Sequence, residues 1–162
     1  MDWHEANKDY NKYIKALFHA ERWQDRAEGA RQLGLLKDAR ATNLLFRALR
    51  VEKDHTVVNK IIEALGRIGD PKGTMPIIDK LKEEMDKFEG DKYRIIYILE
   101  SLSKIKDKRS LSYVGTFLNS PDEELKGLAE KVFDVIEPNW RTVIKEARKK
   151  PKSINEIFDI KF

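Results

Sequence analysis

The chain has 162 residues and no cysteine, which excludes disulfide cross-links and thiolate metal sites and gives no sign of secretion. Its longest uninterrupted apolar run is Ile95 to Leu99, far short of the roughly 20 residues that cross a bilayer. The amino terminus lacks a signal-peptide pattern, so a cytoplasmic protein without membrane association is expected. Histidine is scarce: His4, His19 and His55 are scattered, with no second ligand at metal-binding spacing. A glycine-rich phosphate loop, a Ser-His-Asp arrangement and a paired-carboxylate pattern are also missing, so no enzyme, cofactor or metal is expected. Excess charge of one sign is small, since 32 basic against 28 acidic residues leave a net of +4, as on a mixed, solvated surface. Abundant Lys and Glu without Cys fit a heat-adapted prokaryotic source.

What the chain does have is internal repetition. Leu33-Gly34-Leu35-Leu36-Lys37-Asp38 returns as Leu65-Gly66-Arg67-Ile68-Gly69-Asp70 and less strictly as Leu102-Ser103-Lys104-Ile105-Lys106-Asp107. A degraded fourth copy reads Phe133-Asp134-Val135-Ile136-Glu137-Pro138. The separations, about 32, 37 and 31 residues, lie near the helical-hairpin range of solenoid periods. In the second copy Val57, Val58, Ile61, Ile62, Leu65 and Ile68 recur at the three and four residue spacing of one helical face. A turn follows at Gly69 to Gly73, where Asp70 can accept from the free amides opening the next helix, as can Asp38 and Asp107 in their copies. Pro76 falls in the first turn of the following helix, where its missing donor costs little. The second helices carry Leu45, Phe46 and Leu49, then Ile77, Ile78 and Leu81, then Val114 and Leu118. One hairpin cannot cover both stripes, so the copies must stack into one core, and 41% apolar content suffices for it.

The expected layout is a single domain over residues 1–162: a cap helix over 1–19, four hairpins over 20–149 and a tail over 150–162. The cap rests on the stripe Trp3, Ala6, Tyr10, Tyr13, Ile14, Leu17 and Phe18. The charged stretch from Lys82 to Gly90 reads as an extra helical turn plus loop, or else as an interaction edge.

The run Leu65-Gly66-Arg67-Ile68-Gly69-Asp70-Pro71-Lys72, with the first copy close behind, resembles the HEAT-like repeats of the phycobilisome-lyase type over roughly residues 20–149. The resemblance implies an all-α, right-handed α-solenoid of about four HEAT-like hairpins. It also implies that the second helices line the concave wall. Their outward stripes are Arg40, Asn43, Arg47, Arg50, then Lys72, Met75, Asp79, Lys82, then Arg109, Ser112, Thr116, Asn119. Arg40, Lys72 and Arg109 align as a basic row, with Arg141 as a fourth member. Two readings stand: an interlocking ladder, each turn Asp pairing with a neighbouring copy's Arg or Lys, or a groove for an acidic peptide or phosphate. HEAT-like relatives that perform chemistry do not transfer. The two-iron hydroxylases need several His-Glu pairs and only His4-Glu5 occurs, while Trp23 and Trp140, beside the aromatic residues of the DNA glycosylases, read as packing residues.

Arg141, Lys145, Arg148, Lys149, Lys150 and Lys152 form a second basic cluster, offset nearby only by Glu146, that either suits a helix carboxyl end or binds an anionic partner. Beyond Pro151, Ser153 can cap a short helix with Glu156 reaching back, leaving Ile154, Ile157 and Phe158 on one face. That face either closes the open end of the array or docks on another protein. The expected function is a non-catalytic scaffold or adaptor that binds a protein along the concave wall. The alternatives are nucleic-acid binding through the basic row and carboxy-terminal cluster, and a non-catalytic subunit of a multi-protein enzyme such as a lyase.

Overall fold

The structure, a computed structural model, describes residues 2–149 and 152–162. Lys150 and Pro151, where the tail was expected to begin, lie outside the described residues. Among the described residues there are only helices, turns and loops. The helix α1 (Trp3–His19) precedes four hairpins: α2 (Trp23–Leu36) with α3 (Thr42–Val51), α4 (His55–Ile68) with α5 (Thr74–Met85), α6 (Lys92–Ile105) with α7 (Leu111–Val114), and α8 (Glu123–Ile136) with α9 (Trp140–Ala147). A last turn of helix, α10 (Ile154–Ile157), ends the array.

Local chemistry sets these boundaries. Asp54, Asp91 and Asp122 accept hydrogen bonds from the first free amides of α4, α6 and α8. In the first three hairpins the turn is a single 3₁₀ turn, in which Asp38, Asp70 and Asp107 accept from the amides of Arg40, Lys72 and Arg109 at 2.9 to 3.0 Å. Each first helix there ends on a left-handed residue, Lys37 (φ 51°), Gly69 (φ 75°) and Lys106 (φ 60°).

The buried side chains form one contiguous cluster from Tyr10 to Ile160, with Leu33, Leu45, Ile61, Ile77, Ile98 and Phe133 among its fully enclosed members. The hairpins stack, but the two layers are not equally spaced. Helices α1, α2, α4, α6 and α8 pack on one another in succession, whereas α3 rests on α4 and the Pro71–Gly73 turn and α5 on α6 and the Lys108–Ser110 turn, and α3 and α5 scarcely meet. Small residues permit the close seam: a Cβ on Gly34 would come within 2.8 Å of the Ala64 Cα, and one on Gly66 within 2.7 Å of the Ser101 Cα. Close spacing on one side and wide spacing on the other bend the stack around the α2/α4/α6/α8 layer. This spacing departs from the expectation that α3, α5 and α7 line the inner wall: they form the widely spaced, outer layer.

The charged stretch after Lys82 is an extended α5 followed by a loop, but one of its carboxylates is interior. Glu84, 2% exposed, accepts from the Asp91 amide at 2.8 Å and from Lys87 Nζ at 2.7 Å. Its Oε1 lies 4.0 Å from Nη1 of Arg94, itself 5% exposed, and Arg94 also donates to Asn59 Oδ1. Arg94 Nη2 lies 3.3 Å from His55 Nδ1. This network joins hairpin two to hairpin three.

The tail closes the far end. Ser153 Oγ accepts from the Glu156 amide at 3.2 Å, the N-cap half of a capping box, and its hydroxyl donates to the Glu156 carboxylate at 3.2 Å. Phe158 and Ile160 are buried, and the Phe158 ring packs 5.8 Å from that of Phe133. Ile154 occupies the space where a side chain on Gly115 would stand, at the point where α7 tightens into the 3₁₀ segment Gly115–Asn119. The docking-peptide reading of the tail gives way to the capping one.

Candidate functional site

Of the basic row predicted on the second helices, Arg40, Arg109 and Arg141 are paired with carboxylates, and Lys72 is exposed. Arg40 grips Asp38 of its own turn (Nη2 to Oδ2, 2.6 Å), sits 4.5 Å from the centre of the Tyr10 ring and reaches Asn7. Arg109 grips Asp107 in the same way at 2.7 Å and donates to the Pro71 carbonyl of the preceding turn at 3.2 Å. The ladder reading is thus corrected: Arg40 and Arg109 pair within their own turns, because residues two apart across a 3₁₀ turn meet more easily than residues of separate hairpins, and Lys72 makes no ion pair among the described residues. Asp38 is held below its usual range by the Arg40 hydrogen bonds. Burial pushes Asp107 up, but the hydrogen bonds from Arg109 outweigh it and its net shift is downward. Arg141 pairs with Asp134 at 2.9 Å and Glu130 at 3.5 Å.

The other residues of the outer stripes are dispersed. Asn43, Arg47, Lys72, Asp79, Thr116 and Asn119 are exposed, and Met75 leans on the core. Ser112 turns back to the Arg109 carbonyl, Arg50 lies over Phe46 and Lys82 over Tyr113. The space between α3 and α5, about 400 Å³, is lined by residues of both charges, Arg50, Asp79, Lys80 and Glu83 among them. The carboxy-terminal cluster is also divided. Lys149 pairs with Glu146 at 3.1 Å, Lys145 is exposed, and Arg148 lines a mainly apolar cavity of about 490 Å³ with Trp140, Ile144 and Ile157. Lys150 is outside the described residues. Trp140 is buried and donates to Asp134 at 2.7 Å, as its packing role requires, whereas Trp23 is 41% exposed.

The inner layer, by contrast, brings four helices into register. Its middle carries paired charges: Arg31 binds Glu28 through two hydrogen bonds of 2.8 and 2.9 Å, Glu63 meets both Lys60 and Arg67, and Lys60 lies over the Tyr97 ring. The Arg31 hydrogen bonds, helped by Gln32, hold the Glu28 carboxyl down to about 2 from its ordinary 4.5. Because the folded value is the lower one, the contribution of this pair is complete above the ordinary value and disappears as pH falls through about 2. Carboxyl carbon NMR of the folded protein should therefore show Glu28 titrating near 2, and Arg31→Gln should move that midpoint upward; a wild-type midpoint at 4.5 would contradict the pairing.

Toward the turn end of this layer the charges change character. A groove of about 580 Å³ is lined by Lys37, Arg67, Lys104, Lys106 and Lys131 around Gly66, Ile68, Gly69, Ser103 and Val135, with no carboxylate in its wall. Among the described residues Arg67 alone of these cations has an ion pair, to Glu63 at 3.3 Å. Leu35 and Val135 stand on the same layer 45% and 39% exposed. None of these groove residues was singled out as a site from the sequence. The signal was inside the repeat motif itself, where Arg67 and Lys104 follow the Gly or Ser and Lys37 and Lys106 take the place of Gly69.

Among the described residues no group of three or more His, Asp or Glu is placed to hold a metal ion, and no helix is long and apolar enough to cross a membrane. No curated protein matches the chain in sequence. Residues 11–87, from the cap helix through the second hairpin, match the family model for HEAT repeats, and two further stacked hairpins follow them, so the fold is an all-α stack of HEAT-like hairpins.

Proposed function

We propose that the chain is a non-catalytic scaffold that binds another protein along the α2/α4/α6/α8 face. HEAT repeats commonly serve protein–protein interaction, and the observation that carries the reading here is the register of that layer. Four successive helices present Leu35, Arg67, Lys104, Lys131 and Val135 on one side, including apolar side chains left 45% and 39% exposed. The outer layer offers less, because its arginines at 40 and 109 are engaged within their own turns. The Leu-Gly and Asp-Pro-Lys steps around Arg67 support the phycobilisome-lyase type of repeat as the subtype.

Affinity capture from the native source separates the two faces. Leu35→Asp with Val135→Asp should abolish co-purification of the partner, while Arg47→Glu with Lys72→Glu on the outer layer should leave it intact. Both pairs lie on exposed positions and leave the core untouched. The opposite pattern would move the site to the outer layer, and retention by both folded variants would reject the reading.

A further inference from the structure

The groove at the turn end of the inner layer has three properties that a merely solvated surface does not require. First, five cations share one wall without a carboxylate, and Lys37, Lys104, Lys106 and Lys131 make no ion pair among the described residues. Like charges gathered on one wall repel, so an anion settling between them relieves a standing cost. Second, Lys37 and Lys106 occupy the left-handed conformation, φ 51° and 60°, at the position that Gly69 fills with φ 75° in the intervening helix. L side chains disfavour that region, and glycine adopts it freely. A cation at a helix carboxyl end is favoured by the helix dipole, but any site in the last turn satisfies that preference without a left-handed residue. Third, the floor between the cations is apolar, formed by Ile68 and by Val135.

We propose that this groove receives a short acidic protein segment, its Asp or Glu carboxylates held by Lys37, Arg67, Lys104, Lys106 and Lys131 and one of its apolar side chains laid on Ile68 and Val135. The proposal rests on the inner-face reading above and gives that partner its chemistry. A nucleic acid fits less well. The groove wall offers no aromatic face for a base, and Glu63, paired with Arg67, stands one helical turn before it and would repel a phosphate backbone that continued along α4.

Fluorescence anisotropy tests it with the full chain and a labelled peptide of roughly ten residues, Asp and Glu flanking a single Leu, beside a single-stranded oligonucleotide of the same length. The expected result is salt-sensitive binding of the peptide, weakened about tenfold or more by Lys104→Gln with Lys131→Gln. The double variant Lys37→Gly with Lys106→Gly should weaken it similarly while its Tm rises by about 2–4 °C, since the left-handed positions are relieved. Opposite movement of affinity and stability is what separates a binding role from a structural one. A fall in Tm would show that these lysines serve the fold and would overturn the proposal. So would unchanged affinity in both variants, no peptide binding at low salt, or tighter binding of the oligonucleotide. If the peptide fails to bind while Leu35→Asp with Val135→Asp still abolishes partner capture, the acidic segment is rejected and the inner-face scaffold stands; if capture survives that pair, the scaffold reading itself has failed.

Discussion

Glu84→Ala is expected to lower stability by about 3 kcal/mol, the scale for removing one member of a buried ion pair. The residue is 2% exposed and sits where a loop of charged, solvated neighbours turns inward. Its removal leaves Arg94, 5% exposed, with Asn59 and His55 as its guanidinium's remaining partners among the described residues, and leaves the Asp91 amide without its acceptor. Two separate losses follow, a charge without a counter-charge and an unpaired donor just before α6. Glu84→Gln keeps an acceptor for Asp91 and loses only the charge, so its cost should be roughly half as large. Urea denaturation of the three proteins measures the series. Equal stability of wild type and Glu84→Ala would mean that the network contributes nothing across the junction of hairpins two and three.

Gly66→Val is expected to cost about 3 kcal/mol, at the upper end of the range for overpacking a core. An added Cβ would lie 2.7 Å from both the Cα and the Cβ of Ser101. The obstacle is backbone, so no side-chain rotation relieves it, and α4 and α6 must separate. That separation also breaks the Ser101 hydroxyl bond to the Ile62 carbonyl, 3.0 Å long, and widens the inner seam. Gly127→Ala is the control. Nothing lies within 4 Å of a Cβ there, so the change should stabilise α8 by up to about 1 kcal/mol through helix propensity alone. Chemical denaturation distinguishes the two. If Gly66→Val matched the wild type, the close seam would not be what sets the spacing of the inner layer.

The repeat register was legible because it depends on local pattern. Val57, Val58, Ile61 and Leu65 mark a buried stripe by spacing, and Asp70 marks a turn by type, so the helices and the capping tail follow from short windows of sequence. Which layer lies inside does not follow from such windows. It is decided by pairs about 30 to 35 residues apart, Gly34 with Ala64 and Gly66 with Ser101, whose smallness matters only once they are known to face each other. The same limit hid Glu84. In Lys82-Glu83-Glu84-Met85 nothing distinguishes the interior carboxylate from its solvated neighbour until α6 delivers Arg94 beside it. Arg40 and Arg109 were recognised as a row, but their grip on Asp38 and Asp107 depends on turn geometry that spacing alone leaves open. The groove residues stood in the motif from the start, and only the curvature makes neighbours of Lys37, Lys104 and Lys131.

The seat that Gly115 provides for Ile154 also limits how such a chain can lengthen. With Phe158 and Ile160 folded onto the last hairpin, the surface on which a fifth would rest is already occupied. A further hairpin stacked there would have to displace Ile154, Phe158 and Ile160, whereas one spliced in between α5 and α6 would meet matching neighbours on both flanks, provided that it carried its own counterpart of the Glu84 junction. Extension of this architecture therefore proceeds from the middle.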